Sequence, residues 1–268
     1  MAQRVNSLSL RLGLNLFWSS QWYSNKNYSA LFFEDVLIQT YLKNIFENRG
    51  FFFKRALIKR TRKLTFIFLE VYGNPYFKYA IPKKHRNLHI FQRIIKTKEI
   101  RLFLSKLSRS SVYLAITNVF MFNRIHRSFF KRLKGLFWYF KKFRFWLPML
   151  GVFNIVLRTK GAAFFTRVLA LELEFIEKKR KNKQIWRLVS FTGQLVKLMR
   201  YQDKAIHGIR LQLKGRFKGI KRPKKIRYRE GMVPFNTFRA LIDYSYATAV
   251  TINGSFGIKF WVCYKQIC

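Results

Sequence analysis

Between His207 and Val262 the chain alternates apolar and polar residues at the period of a β-strand. Ile209, Leu211 and Leu213 mark one run, and Phe256, Ile258, Phe260 and Val262 mark another. A period of two puts each set on one face of a sheet and the residues between them on the opposite face. Between the runs lie Arg216, Lys218, Lys221, Arg222, Lys224, Lys225, Arg227, Arg229 and Arg239, opposed only by Glu230 and Asp243. Glu230 and Asp243 are expected to serve as internal partners of the arginines around them. Short strands bearing a dense cationic loop predict a sheet that presents charge to a polyanion.

The rest of the chain narrows the choice of polyanion. Lys and Arg number 54 against 11 Asp and Glu, a net charge of +43, yet half of the residues are hydrophobic. Such a chain can build cores but repels itself unless a counter-charge binds. An anionic membrane would call for cations gathered on one helix face, whereas here they run through every segment, which favours nucleic acid. The longest uncharged apolar run, Phe145 to Leu157, contains Pro148 and Gly151 and falls short of the ~20 residues of a membrane span. No integral membrane insertion is expected. Cys263 and Cys268 are too few for a disulfide framework or a zinc site and read as ordinary thiols. His85 and His89 have the spacing of a metal pair, but Lys83, Lys84 and Arg86 surround them, so neither metal nor cofactor is expected. Metal-assisted phosphodiester chemistry needs clustered carboxylates, and none of the eleven forms such a motif, which argues against a nuclease.

Read in order, residues 1–28 form an N-terminal arm with Trp18, Trp22 and Tyr23, whose rings either dock on a partner or cap this protein's own core. Residues 30–47 predict a helix with Ile38, Tyr41, Leu42 and Ile45 on one face, stopped by Asn48, Arg49 and Gly50. Strands are expected at Phe51 to Lys59, Leu64 to Tyr72 and Ser111 to Phe120, with a basic helix from about Arg86 to Leu107 before the third. That order predicts a KH-like RNA-binding domain over residues 29–120. Residues 121–160 interleave aromatics with cations, as in Phe137-Trp138-Tyr139-Phe140-Lys141-Lys142. They read either as a base-stacking segment or as an amphipathic helix with a solvated cationic face. Two helices are expected next, one with a stripe of Phe164, Val168, Leu171 and Phe175, the other with Ile185, Leu188, Val189, Thr192, Leu195, Val196 and Met199. The fold class is therefore α+β: an N-terminal degenerate KH-like domain, a basic aromatic insertion, and a C-terminal domain (161–268) of two helices on a mixed sheet.

One run of residues carries a resemblance. Gly215-Arg216, Gly219, Tyr228-Arg229-Glu230-Gly231, Val233-Pro234, Thr237, Arg239-Ala240, Ile242-Asp243-Tyr244, Gly257-Ile258-Lys259 and Trp261 resemble the third protein of the small ribosomal subunit, the uS-three family. The start of the chain is similar to that family too, at Gln3, Val5, Arg11-Leu12-Gly13 and Trp18-x-Ser20-x-Trp22-Tyr23. The resemblance implies a structural, non-enzymatic, rRNA-binding protein of the small-subunit head, with neighbouring head proteins and mRNA at the entry channel as further partners. On that basis Arg4, Arg11, Trp18, Trp22, Lys83, Lys84, Arg216, Lys218, Lys221, Arg222, Lys224, Lys225, Arg227, Arg229 and Arg239 are expected on rRNA. The family's Gly-x-x-Gly loop corresponds to Ile81-Pro82-Lys83-Lys84-His85, which has lost both glycines and leaves Lys83 and Lys84 to bind. On the helix that lines the entry channel only Arg187 matches the family's basic residues. The likeness starts at Met1, which implies no cleavable presequence, and with 30 Phe and abundant Lys it points to synthesis inside a mitochondrion. The contrasting readings are a basic organellar RNA-processing protein and a membrane-surface protein.

Overall fold

The computed structural model of the chain describes residues 5–49, 51–73, 96–119, 149, 161–178, 182–202, 205–217 and 222–265. The insertion expected at 121–160, apart from Met149, lies outside them, as do Pro82 to His85 and His89. The chain divides into two compact units, Trp18–Met121 and a second made of Met1–Phe17 with Phe122–Cys268.

The first unit runs β1 (Ser20–Gln21), α1 (Tyr28–Asn48), β2 (Phe51–Arg60), β3 (Leu64–Gly73), α2 (Thr97–Ser108) and β4 (Ser111–Val119). Its sheet has the order β1-β2-β3-β4. β2 and β3 form an antiparallel hairpin, while β1 runs parallel to β2 and β4 parallel to β3. Helix α1 buries Ile38, Leu42 and Phe46, each four residues apart, and α2 buries Ile100 and Leu104 in the same way. That spacing stacks the side chains on one face of each helix. The two faces meet Ala56 and Ile58 of β2, Ile67, Leu69 and Val71 of β3, and Val112 of β4. Each fully buried Leu or Ile contributes roughly 1.5–3 kcal/mol of hydrophobic stabilisation. The expected strands and α1 stand within two residues of their predicted bounds; residues 86–95 of the second expected helix are outside the described part.

The second unit carries a 3-10 turn at Ser9–Arg11, then α3 (Ala162–Lys178), α4 (Asn182–Gln202), β5 (Ile206–Gly215), β6 (Lys224–Gly231), β7 (Leu241–Thr251) and β8 (Gly254–Tyr264). Its sheet has the order β6-β5-β8-β7 and is antiparallel at every pairing, where a mixed sheet was expected. Two further expectations change. Residues 224–231, within the cationic segment read as a loop, form strand β6, and the Thr- and Ala-rich stretch before Phe256, where no strand was expected, belongs to β7, joined to β8 by a tight turn at Ile252 and Asn253. On α3 the buried face is Phe164, Phe165, Val168, Leu169, Glu172, Leu173 and Ile176, rotated from the expected stripe so that Leu171 and Phe175 are half-buried. The fold class is α+β as expected. Among the described residues no helix is long and apolar enough to cross a membrane.

Candidate nucleic-acid interface

The sheet of the second unit has two chemically different faces. Pairing brings Leu211 of β5 opposite Phe260 of β8, Leu213 opposite Ile258 and Ile209 opposite Val262, and all six are fully buried. Helices α3 and α4 cover this face; Phe165 stacks on Phe260 with ring centroids 4.5 Å apart. Polar groups on the same face are matched to the helices. The Ala162 N–H, at the start of α3, donates to Asp243 Oδ2 at 2.8 Å, and the Thr166 and Ser245 hydroxyls share a 2.7 Å hydrogen bond. Asp243, expected to answer arginines, thus caps a helix N-terminus, where a carboxylate satisfies a free donor.

The intervening residues turn to the other face and line up in rows across the sheet. One row reads Arg229, Arg210, Trp261, Tyr244 from β6 through β5 and β8 to β7. The next reads Arg227, Gln212, Lys259, Tyr246, and the third Lys225, Lys214, Gly257, Thr248. Cations occupy the β6–β5 side and aromatic rings the β8–β7 side, and no row contains a carboxylate. Lys214, Lys225, Arg227, Arg229 and Tyr246 are exposed. The Arg210 guanidinium lies 5.6 Å from the Trp261 ring centroid and 5.5 Å from that of Phe235, and Lys259 Nζ lies 5.8 Å from Tyr246. Trp261 and Tyr244 stack at 5.2 Å. The Lys225 ammonium is held below its ordinary pKa, by lost hydration first and then by Arg227, Arg210, Lys214 and Lys259. Like charges held this close favour any anion that separates them.

The run Tyr228-Arg229-Glu230-Gly231 follows from this geometry. Tyr228 points to the helices and reaches α4 at Gly193, where a Cβ would come within 2.5 Å of its ring. Arg229 points to the opposite face. Gly231 has φ of +74°, and a Cβ there would lie 2.4 Å from the His207 carbonyl oxygen, so only glycine fits this turn. Beyond it, residues 232–240 fold over the end of the outer face, where Val233, Ile242 and Cys263 form a small buried cluster with Phe235, Ala240 and Trp261 packed against it. Burial pushes the Cys263 thiol up, against the pull of Arg11.

Arg11 holds this loop. It is fully buried, and its guanidinium donates to the carbonyls of Ala240 at 2.7 Å, Ser7 and Thr237 at 2.8 Å, Phe235 at 3.2 Å and Pro234 at 3.3 Å. Desolvation lowers its pKa, and Cys263 opposes that. Arg11 was expected on rRNA; it is instead an internal clamp, because it is buried and each of its three nitrogens already donates to the backbone. Arg11 from the start of the chain and Pro234, Thr237 and Ala240 from its end, all of which carry the resemblance, thereby meet in space.

The other expected contacts divide. Trp22 is half-buried and its indole N–H donates to Asp35 Oδ2 at 2.6 Å, with its ring 5.2 Å from Tyr28. Its polar atom is committed to Asp35 of α1, so it does not face RNA through its N–H. Trp18 is 60% exposed. Lys224, Arg222 and Arg239 are exposed, Lys224 with Nζ 5.5 Å from the Trp186 ring on the helix side, and Arg216 and Arg187 are half-buried. Lys225, Arg227 and Arg229 stand together on the outer face. Arg4, Lys83, Lys84, Lys218 and Lys221 lie outside the described residues. Sequence reasoning missed Arg210, Lys214, Lys259, Tyr244 and Tyr246, all of which belong to the same rows. The signal was available: they occupy the polar positions of the same period-two pattern that marked the core.

Among the described residues no three His, Cys, Asp or Glu side chains converge as a metal site would require.

Comparison with known proteins agrees with this architecture. Residues 183–262, which span α4 and nearly all of the sheet, match the family described as ribosomal protein S3, C-terminal domain. Over 98% of its length the chain is 27% identical to the small ribosomal subunit protein uS3c of Euglena longa and covers 99% of that protein. It is 26% identical to uS3 of Gluconobacter oxydans over 100% of the chain and 92% of that protein, and 24% identical to uS3 of Parabacteroides distasonis over 100% and 84%. These relatives are named as ribosomal proteins, a structural and non-enzymatic class. With its C-terminal domain matched and the similarity running the length of both chains, this protein is similar throughout to the uS3 proteins of the small ribosomal subunit.

Proposed function

We propose that this structural protein of the small ribosomal subunit binds rRNA in the subunit head through the outer face of β5–β8, and that it does so in a mitochondrial ribosome. The observation that carries the rRNA reading is the set of rows in which Arg229, Arg210, Arg227, Lys259, Lys225 and Lys214 share one sheet face without a carboxylate. Phosphates would relieve the repulsion that already lowers the Lys225 pKa. The exposed cations Arg222 and Arg239 add to the basic surface, and rRNA contact is also proposed for Lys224, Arg216, Lys218 and Lys221. Neighbouring head proteins are its expected protein partners. Its helix–strand–strand–helix–strand order supports reading residues 29–120 as KH-like; contact there would rest on Lys83 and Lys84. A position beside the mRNA entry channel rests on Arg187 of α4 alone.

Sedimentation tests the main claim. In a sucrose gradient of organelle lysate at moderate salt, the chain should travel with the small subunit, and its absence from that fraction would remove the claim. Recovery with purified plastid ribosomes would replace the mitochondrial location. Carbonate treatment should release the chain from membranes together with the subunit; retention would favour a membrane-surface protein.

A further inference from the structure

We infer that the outer face of the C-terminal sheet takes single-stranded RNA, an unpaired base stacking on Tyr246 above Gly257 while its neighbouring phosphates lie on Lys214, Lys225 and Arg227. The inference rests on the rRNA-binding reading above and adds which form of RNA the face accepts.

The division of labour within the rows carries the argument. A face built only of cations would serve duplex and single strand alike, because both offer phosphates. Here the cations sit on β6 and β5, and the rings sit on β8 and β7. With strands ~4.8 Å apart, Tyr246 lies roughly 10–15 Å from the β5 and β6 cations, within reach of one or two nucleotides. An A-form duplex keeps its base faces stacked inside and cannot use a ring. Only an unpaired base can, and a ring beside a basic track is the arrangement that rewards it.

The three rings are not equivalent. Trp261 and Tyr244 stack on each other, Phe235 meets Trp261 edge-on at 5.8 Å, and the Arg210 guanidinium lies near both Phe235 and Trp261. That group is a half-buried pedestal. Tyr246, 54% exposed, is the ring left for a ligand; Lys259 Nζ lies over it, 5.8 Å from its centroid, and its long flexible side chain can swing to a phosphate when a base takes that place. Next to it Gly257 leaves bare backbone between Lys214 and Thr248 in the third row. A Cβ at Gly257 would lie 3.7 Å from Tyr246 Cε2, so the ring reaches to the glycine, which adds no side chain of its own between Tyr246 and Lys214. Sequence analysis placed RNA on the β6 cations and those flanking them; Lys214 comes from β5, and the stacking ring and the open glycine come from β7 and β8.

The test uses the full chain and fluorescence anisotropy with an unstructured oligoribonucleotide of about a dozen nucleotides. A hairpin duplex of equal phosphate count is the comparison. The single strand should bind more tightly. Tyr246→Ala should weaken single-strand binding about tenfold, the scale of one lost stack, and leave duplex binding and the salt slope unchanged. Tyr246→Phe should keep the wild-type preference, which separates lost stacking from lost folding. Lys214→Gln with Lys225→Gln should lower the log–log salt slope by about 1.4 on the single strand. Equal binding of both RNAs by the wild type, or a Tyr246→Ala loss equal on both, would overturn the inference. The wider reading is tested apart from it: a chain that sediments with the small subunit but shows no strand preference is still a ribosomal protein, and only the strandedness is lost.

Discussion

The cations of the two units are used in opposite ways. In the N-terminal unit Arg60 reaches Asp35 Oδ1 at 2.5 Å and Glu34 Oε2 at 2.7 Å, and Lys54 and Arg55 meet Glu70 at 2.6 and 2.8 Å. In the C-terminal unit the outer-face cations have one another and aromatic rings as row neighbours. A formal charge of +43 says nothing of this difference. Cations close to carboxylates hold the fold together, and cations aligned without them are available to an external anion. The first kind should matter to stability and little to RNA, and the second kind the reverse.

The strongest way to break that contrast is Arg60→Met. Asp35 has a side chain only 3% exposed, and losing its cation leaves a charge buried without its ion-pair partner. A loss of about 3–5 kcal/mol in urea unfolding is expected, with RNA affinity of the surviving folded protein unchanged. Arg11→Met comes next. It strands the carbonyls now held together and should cost about 2–4 kcal/mol, with faster amide exchange across residues 233–240 as the local signature. If Arg11→Met instead lowered RNA affinity with no change in exchange, the clamp would be the wrong account.

A third substitution set works on the other side. Lys214→Gln, Lys225→Gln and Arg227→Gln together should reduce the salt slope of single-strand binding by about 2, while stability holds or rises as repulsion is relieved. A fall in stability would mean these cations also hold the fold. The smallest effect concerns pH. Glu70 feels burial, which would raise its pKa, but hydrogen bonds from Arg55 and Lys54 outweigh it and hold the carboxyl below its usual value. A depressed folded pKa contributes stability above the unfolded carboxylate range and loses it as pH falls through the folded value. Acid unfolding of wild type against Glu70→Gln should therefore converge below about pH 4, by about 1 kcal/mol or less for this partly exposed group.

Within the C-terminal sheet, what the sequence revealed follows strand position. β5 and β8 are the two interior strands, and their apolar alternation announced them. β6 and β7 are the two edges; the first was read as a cationic loop and the second was not read as a strand. Edge strands carry charge and small polar residues because an apolar edge would pair with other chains. Lys224-Lys225-Ile226-Arg227-Tyr228-Arg229 does alternate, but its inward set holds a lysine beside Ile226 and Tyr228, and charge masks the period. The stripe of α3 was misplaced for a related reason. Phe175 and Leu171 are as apolar as Phe165 and Leu169, so composition cannot choose the buried face; the position of β7 and β8 under the helix does.

Sequence alone determined the α+β class, the helix and strands of the N-terminal unit, the interior strands of the other, and the likeness to uS3 proteins through Tyr228 to Tyr244. Each of these rests on order and spacing along the chain, which is local information. Tertiary structure alone decided that Arg11 clamps the Pro234–Ala240 carbonyls instead of meeting RNA. It also decided that Arg210, Lys214 and Lys259 join the β6 cations, and that Tyr246 stands beside them over Gly257. The reason is that both assemblies are made across strands, from residues far apart in the chain. Such neighbours are fixed by strand order and register, and a charged residue carries no mark of which carbonyl, ring or phosphate it will face.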